Sequence, residues 1–191
     1  MDFQPLSRFI DRLTSWRIPW AEVTVMRGNE TIFRYRNGYA NLEEQTSIGD
    51  RGIFNLYSLT KILTCTAALQ LLEKGAYLLS DPLSAYLPEY ADMTVRRTLE
   101  DGRTVLEKAE RPITVRDLFT MTAGFSYDLG APSIREVKES TNGKVPTREF
   151  ARALAKEPLL FEPGTRWNLA YATTFSPRLS KRWTEGDSAH T

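Results

Sequence analysis

Leu6, Phe9, Ile10, Leu13 and Trp16 recur at three- and four-residue intervals, a spacing that predicts an amphipathic helix ending before Pro19. Ala21 to Met26 then reads as a strand. Arg27-Gly28-Asn29-Glu30 reads as a turn, and Thr31 to Arg36, which alternates Ile32 and Arg34 with Phe33 and Tyr35, as the returning strand of a hairpin. Asn37-Gly38 is expected to end it, with a polar loop running on through Gly49-Asp50. Because an isolated hairpin is only marginally stable, these strands need further partners. From Ile62 to Leu72 the chain is apolar on nearly all sides, and Lys74-Gly75 offers a helix C-cap. A helix this apolar is expected to be buried, and Lys61 near its start to be partly buried with it.

Further along, Ser80-Asp81-Pro82 signals a helix start ahead of Leu83, Tyr86 and Leu87. Two short β-like runs between Met93 and Ala109 flank Asp101-Gly102, a strong hairpin signal, and their charge suggests a surface flap. Thr114 with Asp117 has the spacing of a capping arrangement for a helix from Val115 to Thr122, closed by Gly124. A Gly-, Pro- and Ser-rich loop is expected up to Pro146. Thr147 would then cap an amphipathic helix carrying Phe150, Ala151 and Leu154.

Composition narrows the chemistry. At 191 residues with 41% hydrophobic content the chain has the make-up of one globular domain or a little more, and a net charge of +1 gives no reason to expect nucleic acid or an anionic membrane as partner. Met1 to Trp16 lacks the apolar core of a signal peptide and no run approaches a membrane span, so the expected location is cytoplasmic. Cys65, the single cysteine, excludes an intrachain disulfide and a multi-cysteine metal site. The single histidine, His190, lies too close to the end of the chain to serve as the base of a Ser-His-Asp or Cys-His arrangement, and it leaves no histidine set for zinc. No Walker loop or dinucleotide fingerprint occurs, and neither a metal nor a cofactor is expected.

What remains is Ser58 and Lys61, three residues apart where the apolar helix begins. On a helix both side chains share one face. A serine hydroxyl is a weak nucleophile until a base takes its proton, and a lysine can be that base when its surroundings lower its pKa from about 10.4. Four residues of this kind are a weak signal on their own.

Their setting is more specific. In order along the chain stand Ile18-Pro19, Gly38-Tyr39-Ala40, Ser58-Leu59-Thr60-Lys61, Ser80-Asp81-Pro82 with Tyr86-Leu87-Pro88-Glu89, Ile113-Thr114-Val115-Arg116-Asp117-Leu118 with Met121-Thr122-Ala123-Gly124-Phe125, and Phe161-Glu162-Pro163-Gly164-Thr165-Arg166-Trp167. Over roughly residues 5 to 168 the chain resembles the N-terminal half of the β-lactamase-related serine hydrolases of the class C type, a family of β-lactamases, D-alanyl-D-alanine carboxypeptidases and esterases. The resemblance implies an α+β fold, β-lactamase/transpeptidase-like, with an antiparallel sheet plus a helical subdomain, here incomplete. It also implies that Ser58 attacks an ester or amide carbonyl to form an acyl-enzyme while Lys61 takes up or shuttles the proton. The Ser58 N–H would be one oxyanion donor.

The same resemblance implies a tyrosine two residues after Trp167, where this chain has Leu169; Tyr171, two positions on, is the candidate substitute for the relay. Residues 169–191 carry no helical apolar stripe and read as an aberrant tail behind the family part, 1–168. Codons compatible with 169–176 regroup, one base restored, as Tyr-Ser-Leu-Cys-His-Asp-Val-Leu, and those compatible with 179–186 as Leu-Val-Glu-Ala-Val-Asp-Gly-Gly, both similar to the family's own continuation. Two functions are therefore carried forward: a serine hydrolase acting on a small ester or amide, and a truncated chain without independent activity. Complementation by a separate C-terminal half is a further expectation. A shifted reading frame predicts that the nucleotide sequence around Asn168 shows one lost base; an intact frame with unrelated codons removes the idea.

Overall fold

The computed structural model describes residues 1–16, 18–50 and 52–169, and the chain divides into two compact units, residues 1–56 and 57–191. In the first unit, helix α1 (Gln4–Trp16) has the extent its apolar spacing predicts. Strands β1 (Trp20–Arg27) and β2 (Glu30–Asn41) pair antiparallel around the turn at Gly28 and Asn29, with a register irregularity between Val25 and Met26. The partners this hairpin needs are close by. Tyr35 Oη and Asn37 Nδ2 both donate to Asp11 of α1, at 2.6 and 2.8 Å, Phe3 stacks on Phe33, and β3 (Thr46–Ser47) pairs with the end of β2.

Gly38 does not end the second strand, contrary to its sequence reading. β2 runs on to Asn41, because Gly38, at φ +103°, lies where a Cβ would collide with the Pro19 carbonyl and the Trp20 backbone. It is a point of close backbone approach within a strand, and Tyr39 N–H donates to the Pro19 carbonyl beside it.

The second unit holds the larger core. Helix α2 (Thr60–Glu73) ends as the sequence indicates: the N–H groups of Gly75 and Ala76 donate to the Leu72 and Leu71 carbonyls, the bonding pattern of a Schellman cap. After it, Ser80-Asp81-Pro82 starts only a single 3₁₀ turn, Leu83–Ala85. The Asp81 carboxylate instead accepts from the Leu78 N–H and the Tyr86 hydroxyl, folding its own loop.

Strands β4 (Thr94–Thr98) and β5 (Thr104–Lys108) form the hairpin expected around Asp101-Gly102. It is not a free flap. Arg96 N–H donates to the Leu159 carbonyl and Leu159 N–H to the Thr94 carbonyl, so Val95 is driven into the core. Periodicity within the hairpin could not reveal a partner sixty residues away.

Helix α3 (Val115–Phe119) has the full capping box: Thr114 Oγ1 accepts from Asp117 N–H and the Asp117 carboxylate accepts from Thr114 N–H. It closes earlier than expected. Met121 takes the left-handed conformation at φ +57° and Thr122 N–H reaches back to the Asp117 carbonyl. Gly124 has a different task, since a Cβ there would strike the Phe161 carbonyl, and its own carbonyl accepts from Leu160 N–H. The stretch expected as loop contains helix α4 (Pro132–Ser140), with proline in its first turn and Ile134 buried. Helix α5 (Thr147–Leu154) is as expected in its buried residues, but Pro146 occupies the cap position and no side chain caps it. Leu83, Tyr90, Val95, Ile113, Phe125 and Leu159 pack together among these elements as the core.

Within that core sits one buried carboxylate. Asp117, 4% exposed, accepts two bonds from the Arg111 guanidinium at 2.9 Å each, two from Thr114 and one from the Thr122 hydroxyl. Burial by itself pushes this carboxyl up, but the bonds from Arg111 and Thr114 outweigh it and hold the group below the usual carboxylate range. A depressed folded value means that the contribution to stability is present above the unfolded pKa, about 3.9, and is lost as pH falls through the folded value. Asp117→Ala is expected to cost about 2–4 kcal/mol in urea denaturation at neutral pH. The Asp117→Asn deficit should hold down to about pH 5 and shrink below about pH 4.

Candidate active site

Tyr57–Leu59 form a 3₁₀ turn that runs directly into α2. The regular helix thus starts two residues after Ser58, not at it. The pairing survives because residues three apart also lie on one side of a 3₁₀ turn. Lys61 Nζ donates to Ser58 Oγ at 3.3 Å. Ser58 is not the helix cap: Leu59 holds that position and no side chain caps α2. Tyr57, immediately before the serine, has φ +44°, a conformation that a non-glycine residue adopts only when its surroundings impose it.

Ser58 is exposed and Lys61 half-buried, the latter as the sequence reading expected. The burial expected for the helix itself is not found. Of its residues only Ala68 is fully buried, while Ile62, Leu63 and Leu69 are exposed. The reason is where α2 is held. Leu71 and Leu72 pack at its C-terminal end on a small cluster of Ala76, Tyr77 and Val115, and Tyr77 Oη donates to the Ala68 carbonyl at 2.7 Å. The end that carries the serine has no comparable anchor among the described residues.

Cys65 lies one turn beyond Lys61, on the side of α2 that carries Ala68. Burial pushes its thiol up, with Lys61 pulling weakly the other way. It is free and half-buried. Among the described residues no three or more His, Cys, Asp or Glu side chains are grouped so as to hold a metal ion, and no helix is long and apolar enough to cross a membrane.

The segment from Gly164 to Asn168 is tied to the chain that follows α3. Gly164 N–H donates to the Thr122 carbonyl, Asn168 N–H to the Met121 carbonyl, and Asn168 Nδ2 to the Phe125 carbonyl at 2.9 Å. Trp167 is largely exposed. Tyr171 and the other residues from Ala170 onward, expected as a tail, lie outside the described residues. Sequence reading brought Ser58 and Lys61 together correctly. It missed Tyr77, whose role depends on a bond to a carbonyl nine residues back in the chain, and Arg111, whose bidentate pairing with Asp117 has no local signature.

The fold is the β-lactamase/transpeptidase architecture, present in part. The chain belongs to the β-lactamase family, whose model matches residues 6–174. Esterase EstB of Burkholderia gladioli is 31% identical over 171 residues, which are 86% of this chain and 41% of that protein. Lovastatin esterase of Penicillium rubens is 32% identical over 136 residues, 70% of this chain and 34% of the esterase. Among solved structures, unliganded simvastatin synthase (LovD) from Aspergillus terreus is similar with a TM-score of 0.71 and 25% identity, over 97% of this chain and 49% of that one. EstCE1, a hydrolase with promiscuous acyltransferase activity, shares the fold at a TM-score of 0.73 and 24% identity, over 95% of this chain and 46% of its own. The chain thus spans less than half the length of each of these proteins.

If Tyr77 is the anchor of α2, Tyr77→Phe should cost about 1 kcal/mol, the net worth of one hydrogen bond. The measurement that separates anchoring from general destabilisation is amide exchange: protection should fall in α2 before it falls in α5.

Proposed function

We propose that the chain carries the nucleophile and base of a serine acyl-transfer site that acts on a small ester through an acyl-enzyme. The observation that carries this is the Lys61 Nζ to Ser58 Oγ contact of 3.3 Å, positioned by adjoining turns of one chain segment. With a neutral amine at that distance the bond reverses and the serine hydroxyl donates to nitrogen. Ser58 Oγ then bonds to the carbonyl carbon, the proton passes to Lys61, and the same proton is delivered to the leaving oxygen as its bond to carbon breaks. Water or an acceptor alcohol reverses the sequence and frees Ser58. An ester is favoured over a lactam or peptide because EstB and the lovastatin esterase are named for ester cleavage.

One observation favours the second reading, a chain with little independent turnover. Ser58 is exposed, and charge that develops in a transition state is stabilised far less in water than by fixed donors in a closed site. Hydrolysis of p-nitrophenyl butyrate decides between the two. The first reading expects a rate above buffer that Ser58→Ala removes and that Lys61→Ala lowers by about a hundredfold or more. Equal rates for the wild-type chain and Ser58→Ala would establish the second.

A further inference from the structure

Asn-Gly occurs twice in the chain, at Asn37-Gly38 and at Asn142-Gly143. In this dipeptide the side-chain amide is unusually open to attack by the next backbone nitrogen, because glycine has no Cβ to hinder the approach. Both asparagines are exposed, so access to water does not separate them. Their bonding does. Asn37 lies within β2, opposite Ala21 of β1. Its Nδ2 donates to Asp11 Oδ1 at 2.8 Å and to Thr14 Oγ1 at 3.1 Å, and its Oδ1 accepts from Gly38 N–H at 2.9 Å. That last bond brings the nitrogen close to the side chain, yet it aims the nitrogen's hydrogen at oxygen and not its electron pair at carbon. Attack at Asn37 therefore requires the strand and all three side-chain bonds to give way. Asn142 is held less firmly. It follows α4 as the left-handed residue of a Schellman cap, at φ +49°, with its N–H donating to the Glu139 carbonyl and Gly143 N–H to the Lys138 carbonyl at 2.8 Å. Among the described residues no hydrogen bond fixes its side-chain amide. The Gly143 bond that must open lies at an exposed helix end, where opening costs least.

We propose that Asn142-Gly143 is a site of spontaneous deamidation and isomerisation in the folded chain, and that the identical dipeptide at Asn37-Gly38 is protected by its tertiary bonds. Gly143 N gives up its proton and bonds to Asn142 Cγ. The Cγ–Nδ2 bond breaks, and Nδ2 leaves with one added proton as ammonia, closing a succinimide. Water then opens the ring. Cleavage of the new bond at Cγ leaves an ordinary aspartate at position 142. Cleavage at the backbone carbonyl of the same residue leaves isoaspartate, with the main chain routed through the former side chain. Either product sets a carboxylate just beyond the C-terminal end of α4, the end at which the helix dipole disfavours negative charge. The reaction needs nothing from Ser58 or Lys61.

The test incubates the full chain in mildly alkaline buffer, once folded and once in concentrated urea. Peptides that span each asparagine are then quantified by mass spectrometry, and isoaspartate is counted by labelling with isoaspartyl methyltransferase. In the folded chain, conversion at position 142 should outrun conversion at position 37 by about tenfold or more. In urea the two rates should converge, because unfolding removes the bonds that distinguish them. Asn142→Gln should remove most of the methyl labelling from the folded chain, since closing the larger ring is slow. Equal rates in the folded chain overturn the proposal. So does faster conversion at position 37, which would show that closeness of the Gly38 nitrogen outweighs the fixing of the amide. A difference that persists undiminished in urea overturns it as well, by assigning the selectivity to neighbouring residues and not to the fold.

Discussion

The second unit depends on one buried carboxylate. Asp117 is taken out of water and then met on every side, by Arg111 through two bonds, by the backbone and hydroxyl of Thr114, and by the Thr122 hydroxyl. A buried charge is tolerated only when it is paired and hydrogen-bonded in this way. Its position converts the cost into order. Thr122, drawn to Asp117 by its side chain, offers its carbonyl to Gly164, and the neighbouring Met121 carbonyl holds Asn168. The segment that leads toward the candidate relay residue is thereby tied to the cap of α3.

A second constraint acts on the serine helix. Val115, in the first turn of α3, packs with Tyr77 and Ala76, and this cluster receives the C-terminal end of α2. One short capped helix therefore serves both as the seat of the buried carboxylate and as part of the anchor of α2. The end of α2 bearing Ser58 and Lys61 is left the less constrained, and the left-handed backbone at Tyr57 lies at that same end. A catalytic serine needs a surrounding wall to exclude water and fixed donors to meet developing charge. Among the described residues the pair has its mutual geometry without such a wall.

Elements whose reason lies within a short window were legible beforehand: α1 from its apolar interval, the β1–β2 and β4–β5 hairpins from their turns, the α2 cap from Lys74-Gly75, and the α3 capping box from Thr114 and Asp117. Misread were those whose reason is distant. Gly38 and Gly124 both looked like terminators, yet each is a glycine because another backbone passes too close for a side chain. Helix α4 was hidden by the polar and glycine-rich residues around it, and only Ile134 and Val137, facing the core, disclose why it forms.

The sequence by itself determined the family of this protein and its candidate pair: a serine and a lysine at helical spacing, and the ordered motifs that carry family membership. Those are properties of residue identity and local spacing, which hydrogen bonding across one turn converts directly into geometry. Only the tertiary structure decided the environment of that chemistry. It showed α2 held at one end by Tyr77, and Ile62, Leu63 and Leu69 exposed where an apolar sequence had promised burial. Burial is a property of what packs against a residue, and no local pattern encodes whether the partner surface is present.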